Sequence, residues 1–109
     1  MCGIAGISGP PGSRADAHCA IERLRHRGPD GDGAFMDESN GVALVHTRLA
    51  IQDPRPEANQ PFADPTGTTT IVYNGELYNV RELRDELRAL GHAFRTQSDT
   101  EVLLVAYRQ

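Results

Sequence analysis

The chain has 109 residues with 39% hydrophobic and 24% charged content, the composition of one small soluble globular domain. Its net charge of −4 argues against a nucleic-acid or acidic-membrane partner, and no apolar run approaches the ~20 residues of a membrane span. There is no basic and apolar leader of the secretory type, and two cysteines are too few for a disulfide scaffold. Reduced thiols in the cytoplasm are therefore the expectation.

Cys2 to Ser8 reads as a short strand of small residues in which Gly3 and Gly6 permit close backbone approach. Gly9-Pro10-Pro11-Gly12 is a loop. Ser13 is placed to cap a helix over about Ala15 to Leu24, whose apolar face is Ala17, Ala20, Ile21 and Leu24. Arg25 to Gly33 is too rich in Gly and Asp for regular structure, and within it the Arg, His and Asp side chains of Arg25 to Gly31 are expected to satisfy one another. Ala34 to Asp37 and Val42 to Arg48 form two strands joined through Asn40-Gly41, a hairpin signal.

Asp53 to Thr66 carries Pro54, Pro56, Pro61 and Pro65 and reads as a long irregular segment, a type that is often functional. Thr68 to Tyr73 is β-branched and predicts a strand. Asn79 with Glu82 resembles a capping box before a helix with a Leu83, Leu87, Leu90 stripe and a Gly91 stop. Ala93 to Thr96 suggests a short strand. Ser98 and Glu101 form a second box before a last helix bearing Val102, Leu103, Ala106 and Tyr107.

Four features carry chemistry. Cys2 follows Met1, and removal of Met1 would leave a thiol and a free α-amine on one residue; that amine, with an ordinary pKa of about 7.7–8.0, can act as the base. The alternative is a small buried hydrophobe at a strand start. Asn74-Gly75 can supply a side-chain amide and a backbone N–H to an oxyanion, or can be a plain turn. Arg48, after an apolar strand, can hold a carboxylate with two parallel hydrogen bonds. Glu76 and Asp99 can together hold an ammonium group; the alternative is solvated charge, or for Asp99 a helix cap. An Arg with two acids suits the charged ends of a free amino acid. The histidines and Cys19 lack zinc spacing, Cys19 is expected to be structural on the first helix, and His92 is expected at the surface.

Six motifs occur in one order: Met1-Cys2-Gly3-Ile4-Ala5-Gly6, His26-Arg27-Gly28-Pro29-Asp30-Gly31, Arg48-Leu49-Ala50-Ile51, Gln60-Pro61, Asn74-Gly75-Glu76-Leu77-Tyr78-Asn79 and Ser98-Asp99-Thr100-Glu101. Together they resemble the glutaminase domain of class II glutamine amidotransferases, which are N-terminal-nucleophile hydrolases. The loops look most like those of glutamine-dependent asparagine synthetases. Asp53-Pro54-Arg55-Pro56-Glu57-Ala58 departs from the family's more usual Asp-Leu-Ser and Gly.

The resemblance implies an α+β fold, a four-layer αββα sandwich, with residues 1–109 as about its first half and the synthetase domain absent. It implies that Cys2 attacks the carboxamide of glutamine, that Asn74 and Gly75 hold the oxyanion, and that Arg48 binds the α-carboxylate. Glu76 and Asp99 would bind the α-ammonium, and backbone from Leu49 through Ala50 and Ile51 to Gln52 would line the pocket. The glutaminase step needs no cofactor; ATP and Mg2+ belong to the synthetase domain. The expected partners are glutamine and that domain, with self-association through exposed sheet edges as a further expectation. Two other functions remain open: an inactive remnant that binds glutamine or a partner, and an N-terminal-nucleophile hydrolase of another amide. The Arg48, Glu76 and Asp99 set argues against the latter.

Overall fold

Alternating inward and outward residues build a three-stranded antiparallel sheet at the centre of the fold. The computed structural model describes residues 1–9, 13–51 and 53–109, and the side chains of residues 13–15 are outside that description. The expected loop at Pro10-Pro11-Gly12 and the Ser13 side-chain cap therefore lie outside the described residues, as does Gln52. The sheet contains β1 (Gly3–Ser8), β2 (Gly31–Asp37) and β3 (Val42–Arg48) in the order β1-β3-β2. In register, Gly3 faces Thr47 and Ile7 faces Ala43, while Gly31 faces Arg48 and Asp37 faces Val42. The β2–β3 connection is the expected four-residue turn, with Gly41 at φ +63° and the Asp37 carboxylate accepting from the Asn40 N–H and Nδ2.

Every second residue of β3 faces α1 (Ser13–Leu24): Ala43 and Val45 are buried with Ala17, and Thr47 Oγ1 donates to Leu24 O at 3.0 Å. Ala20, Ile21 and Leu24 pack against this core, as the helical spacing of the sequence predicts. Complete burial of Val45 contributes about 1.5–3 kcal/mol. Cys19 is exposed, not structural, because it lies off this stripe.

The opposite face of β3 carries Leu44, His46 and Arg48. A second, two-stranded sheet consists of β4 (Phe62–Ala63) and β5 (Thr70–Ile71), paired Phe62 to Ile71. The helices α2 (Val80–Ala89) and α3 (Asp99–Arg108) pack on each other, and α3 also meets β5. Helices and antiparallel sheets together make an α+β arrangement.

Several local expectations are corrected. β2 begins at Gly31, inside the stretch read as irregular, because Gly31 to Gly33 pair with β3. The proline-rich segment holds a 3-10 turn at Pro56–Ala58 and then β4. β5 is limited to Thr70–Ile71. Asn79 occupies the N-cap of α2 without a side-chain capping bond. The α2 stripe is incomplete: Leu87 is buried, Leu83 is half-buried, Leu90 is 62% exposed, and Arg84 is buried in its stead. Gly91 at φ +97° does end α2, with its N–H on Arg88 O and the His92 N–H on Leu87 O. His92 is half-buried, and its ring pairs with Gln109.

Residues 93–96 are not a strand, because side chains take their backbone groups. Arg84 donates from Nη1 to Thr96 O (2.9 Å) and from Nη2 to Ser98 O (3.1 Å), with its guanidinium 4.7 Å above the Phe94 ring. The Glu101 carboxylate accepts from the N–H groups of Arg95 (2.8 Å) and Thr96 (2.7 Å). Ser98 Oγ accepts from the Glu101 N–H as a capping box requires, but the carboxylate is engaged upstream, so the box is half formed. On α3, Val102 and Leu104 are buried, and Tyr107 is exposed.

Candidate functional site

The antiparallel pairing of β1 with β3 brings the start of the chain to the end of β3. Gly3 lies opposite Thr47, so Cys2 lies one step beyond, beside Arg48 and Leu49. The Leu49 N–H points at Cys2 Sγ at 3.3 Å, and the thiol reaches Leu49 O at 3.6 Å. Both are ordinary distances for weak sulfur hydrogen bonds. The sulfur stands in a cavity of about 450 Å3 that is also lined by Arg48, Leu49, Ile51, Asn74, Gly75, Glu76 and Asp99. The structure therefore brings together every predicted site residue it describes except Ala50. Ala50 is not among the residues lining the cavity, and its N–H is bonded to Asp30 Oδ2 at 2.9 Å. Gln52 is outside the described residues.

The polar loop from Arg25 to Gly31 does not satisfy itself, contrary to expectation. Arg25 pairs with Glu22 and Asp32 at its edge. Arg27 Nε donates to Cys2 O at 3.1 Å, and Asp30 donates its N–H to Arg48 O at 2.9 Å. A Cβ on Gly28 would stand 2.4 Å from the Arg48 nitrogen and from the Thr47 carbonyl carbon. Only glycine permits this loop to lie against the end of β3. Its work is to fix the backbone of Cys2, Arg48 and Ala50.

Arg48 is buried on one side and open to the cavity on the other. Its Nη1 donates to Arg55 O at 2.9 Å and to the Asn59 side-chain oxygen. Arg55 is itself held by Asp53 through two parallel bonds, Nε to Oδ1 at 2.9 Å and Nη2 to Oδ2 at 2.7 Å. Asp53 also accepts from the Gln97 N–H at 2.8 Å. Hydrogen bonds from Arg55, then from the Gln97 backbone, keep the Asp53 carboxyl far below the usual carboxylate range. The sequence showed Asp53, Arg55 and Asn59 only as part of an irregular segment; in space they buttress Arg48.

Across the cavity, Asn74-Gly75-Glu76 follow β5 and Asp99 opens α3. Asp99 is buried, and its Oδ2 accepts from the Leu77 N–H at 3.1 Å, which ties the Glu76 loop to the helix. The Tyr73 ring lies against Gly75: a Cβ there would be 2.7 Å from the phenol oxygen. Burial raises the Tyr73 phenol above its ordinary pKa, and the negative charges of Asp99 and Glu76 add to the shift. Both acids line the same cavity. Tyr78, 91% exposed, is at the rim.

Gln60, quoted in the sequence only as Gln60-Pro61, also lines the cavity and bonds to Tyr73 and Thr100. His46 is fully buried, with neither ring nitrogen reaching a hydrogen-bond partner. Desolvation, then repulsion from Arg48, lowers its pKa from 6.5 to about 4. The Tyr73 backbone pulls the other way but does not meet hydrogen-bond geometry with either nitrogen. Among the described residues no cluster of His, Cys, Asp and Glu has metal-binding geometry, and no helix is long and apolar enough to cross a membrane.

The chain is 44% identical over 114 residues to glutamine-hydrolyzing asparagine synthetase 1 of Bacillus subtilis, covering 99% of this chain and 18% of that protein. It is 41% identical over 113 residues to glutamine-hydrolyzing asparagine synthetase 1 of Arabidopsis thaliana, covering 100% of this chain and 18% of that one. A glutamine–fructose-6-phosphate aminotransferase of Sulfurisphaera tokodaii is 35% identical over 132 residues, covering 94% of this chain and 22% of its own. The chain thus spans about a fifth of the length of the curated relatives it matches. The glutamine amidotransferase domain family matches residues 1–109 from end to end, and the chain belongs to that family.

Proposed function

We propose that this chain carries the glutamine-hydrolysing site of an asparagine synthetase. The observation that supports the reading best is a single cavity that joins Cys2 Sγ, Arg48, Asn74-Gly75 and the Glu76–Asp99 pair. Arg48 and the two acids are suited to the two charged ends of an amino acid, and the thiol to its side-chain amide. With Met1 removed, the Cys2 α-amine takes the thiol proton as Sγ attacks the carboxamide carbon. Asn74 Nδ2 and the Gly75 N–H hold the negative oxygen that forms. The C–N bond breaks, the nitrogen takes the proton and ammonia leaves. Water then cleaves the γ-glutamyl thioester, releasing glutamate and restoring the thiol. Met1 is 71% exposed, which suits its removal.

Residues 1–109 form the N-terminal part of the glutaminase domain in this reading, and ammonia serves ATP- and Mg2+-dependent amidation of aspartate in a separate synthetase domain. The expected compartment is the cytoplasm. β1 and β2 are the outer strands of the three-stranded sheet, and Ile4 and Phe35 stand partly exposed on its face. Such edges support pairing with further strands, or self-association of the isolated chain.

Mass spectrometry of the N-terminus together with glutamate release tests the reading. Free Cys2 with hydrolysis, abolished in Cys2→Ala, is the expected result. Full hydrolysis by Cys2→Ala overturns it; free Cys2 without hydrolysis favours a glutamine-binding module.

A further inference from the structure

The two arms of the cavity that face Cys2 come from different elements. Asn74-Gly75 leave β5, and Asp99 opens α3. One side chain joins them. Gln60 Oε1 accepts from the Tyr73 N–H at 2.6 Å, and Gln60 Nε2 donates to Thr100 Oγ1 at 3.0 Å. Tyr73 directly precedes Asn74, and Thr100 directly follows Asp99. The orientation of the amide is forced, because a backbone N–H can only donate. The Gln60 backbone is seated in turn on β2: a Cβ on Gly33 would stand 2.5 Å from Gln60 O. The amide is thus anchored to the main sheet and spans both arms.

We propose, building on the glutaminase reading, that Gln60 is a positioning residue that sets the oxyanion donors against the ammonium site. Asn74 and Gly75 act when charge develops on the oxygen, whereas Asp99 acts in substrate binding. One clamp on both couples the bound position of the α-ammonium to the position of the oxyanion donors. Loss of the clamp lowers kcat and raises KM together. Thr100, buried at the other end, holds the amide with its hydroxyl alone.

The test uses the full-length chain with Met1 removed. Glutamate release is normalised to the folded fraction read from near-UV circular dichroism, so that loss of folded protein does not count as loss of activity. Gln60→Met keeps length and removes both polar groups, and its kcat/KM is expected to fall roughly 10–100-fold, the scale of an ångström-sized misplacement. Thr100→Val loses a smaller factor in the same direction, and Thr100→Ser restores it. Hydrogen exchange at the Tyr73 amide, which needs no turnover, is faster in Gln60→Met. If Gln60→Met does not fold, the Thr100 pair decides. Unchanged kcat and KM per folded protein in Gln60→Met and Thr100→Val, beside an active parent, overturn this proposal alone. A parent with free Cys2 and no glutamate release overturns the glutaminase reading, and the clamp's role falls with it.

Discussion

Leu49 and Cys2 are 47 positions apart, and the Leu49 N–H donates to Cys2 Sγ at 3.3 Å. The contact exists because β1 and β3 pair in antiparallel register and because the Arg27 to Asp30 loop clamps both strand ends. The nucleophile is therefore positioned mostly by backbone.

That dependence makes Gly28 a critical residue. A methyl group at this position meets backbone atoms of Thr47 and Arg48, which have no rotamer to give. Gly28→Ala is expected to cost about 1–3 kcal/mol of stability through overpacking. Thermal unfolding measures that cost, and glutamine turnover falls with it because Cys2, Arg48 and Ala50 lose their common support.

Gly75→Ala is expected to behave differently. Gly75 is exposed, and the three atoms nearest a Cβ there all belong to the Tyr73 ring. Stability stays within about 0.5 kcal/mol, as for most surface changes. The ring or the Gly75 N–H must move, and kcat is expected to fall by roughly 10²–10³, the cost of a lost oxyanion donor. Steady-state kinetics beside an unchanged melting curve checks this split.

Asp53→Asn tests the support behind Arg48. The variant keeps the shape but loses the bidentate grip on Arg55, whose carbonyl holds Arg48 Nη1. Binding of the α-carboxylate is the same in substrate and transition state, so the loss is expected in KM, roughly 3–10-fold, with kcat little changed. A kcat effect without a KM effect would contradict the role of Arg48.

His46 predicts an acid limit to stability. Its folded pKa, about 4, lies below its ordinary 6.5. The unfolded chain therefore binds the proton first, so stability is complete above pH 6.5 and declines as pH falls toward 4. At pH 4.5 the loss is roughly 2 kcal/mol relative to neutral pH. Denaturant titrations in His46→Leu are expected to show a flatter pH profile between 6.5 and 4.5, since leucine has nothing to protonate.

The sequence by itself determined the chemical parts and their order: thiol, arginine, Asn-Gly and two acids, set in periodic segments that became β1, β2, β3, α1, α2 and α3. Local periodicity and turn residues are short-range properties, so they are readable without a structure. It also placed Gly91 at the end of α2 and Ser98 before α3, because caps depend on neighbours in the chain. Only the tertiary structure decided where polar groups find partners. Arg27 meets Cys2 O across 25 positions, Asp30 meets Ala50 across 20, and Gln60 meets Thr100 across 40. No local pattern encodes such pairings. The same reason explains the failed strand at 93–96, whose backbone groups go to Arg84 and Glu101, and the buried His46, whose environment comes from strands and loops distant in sequence.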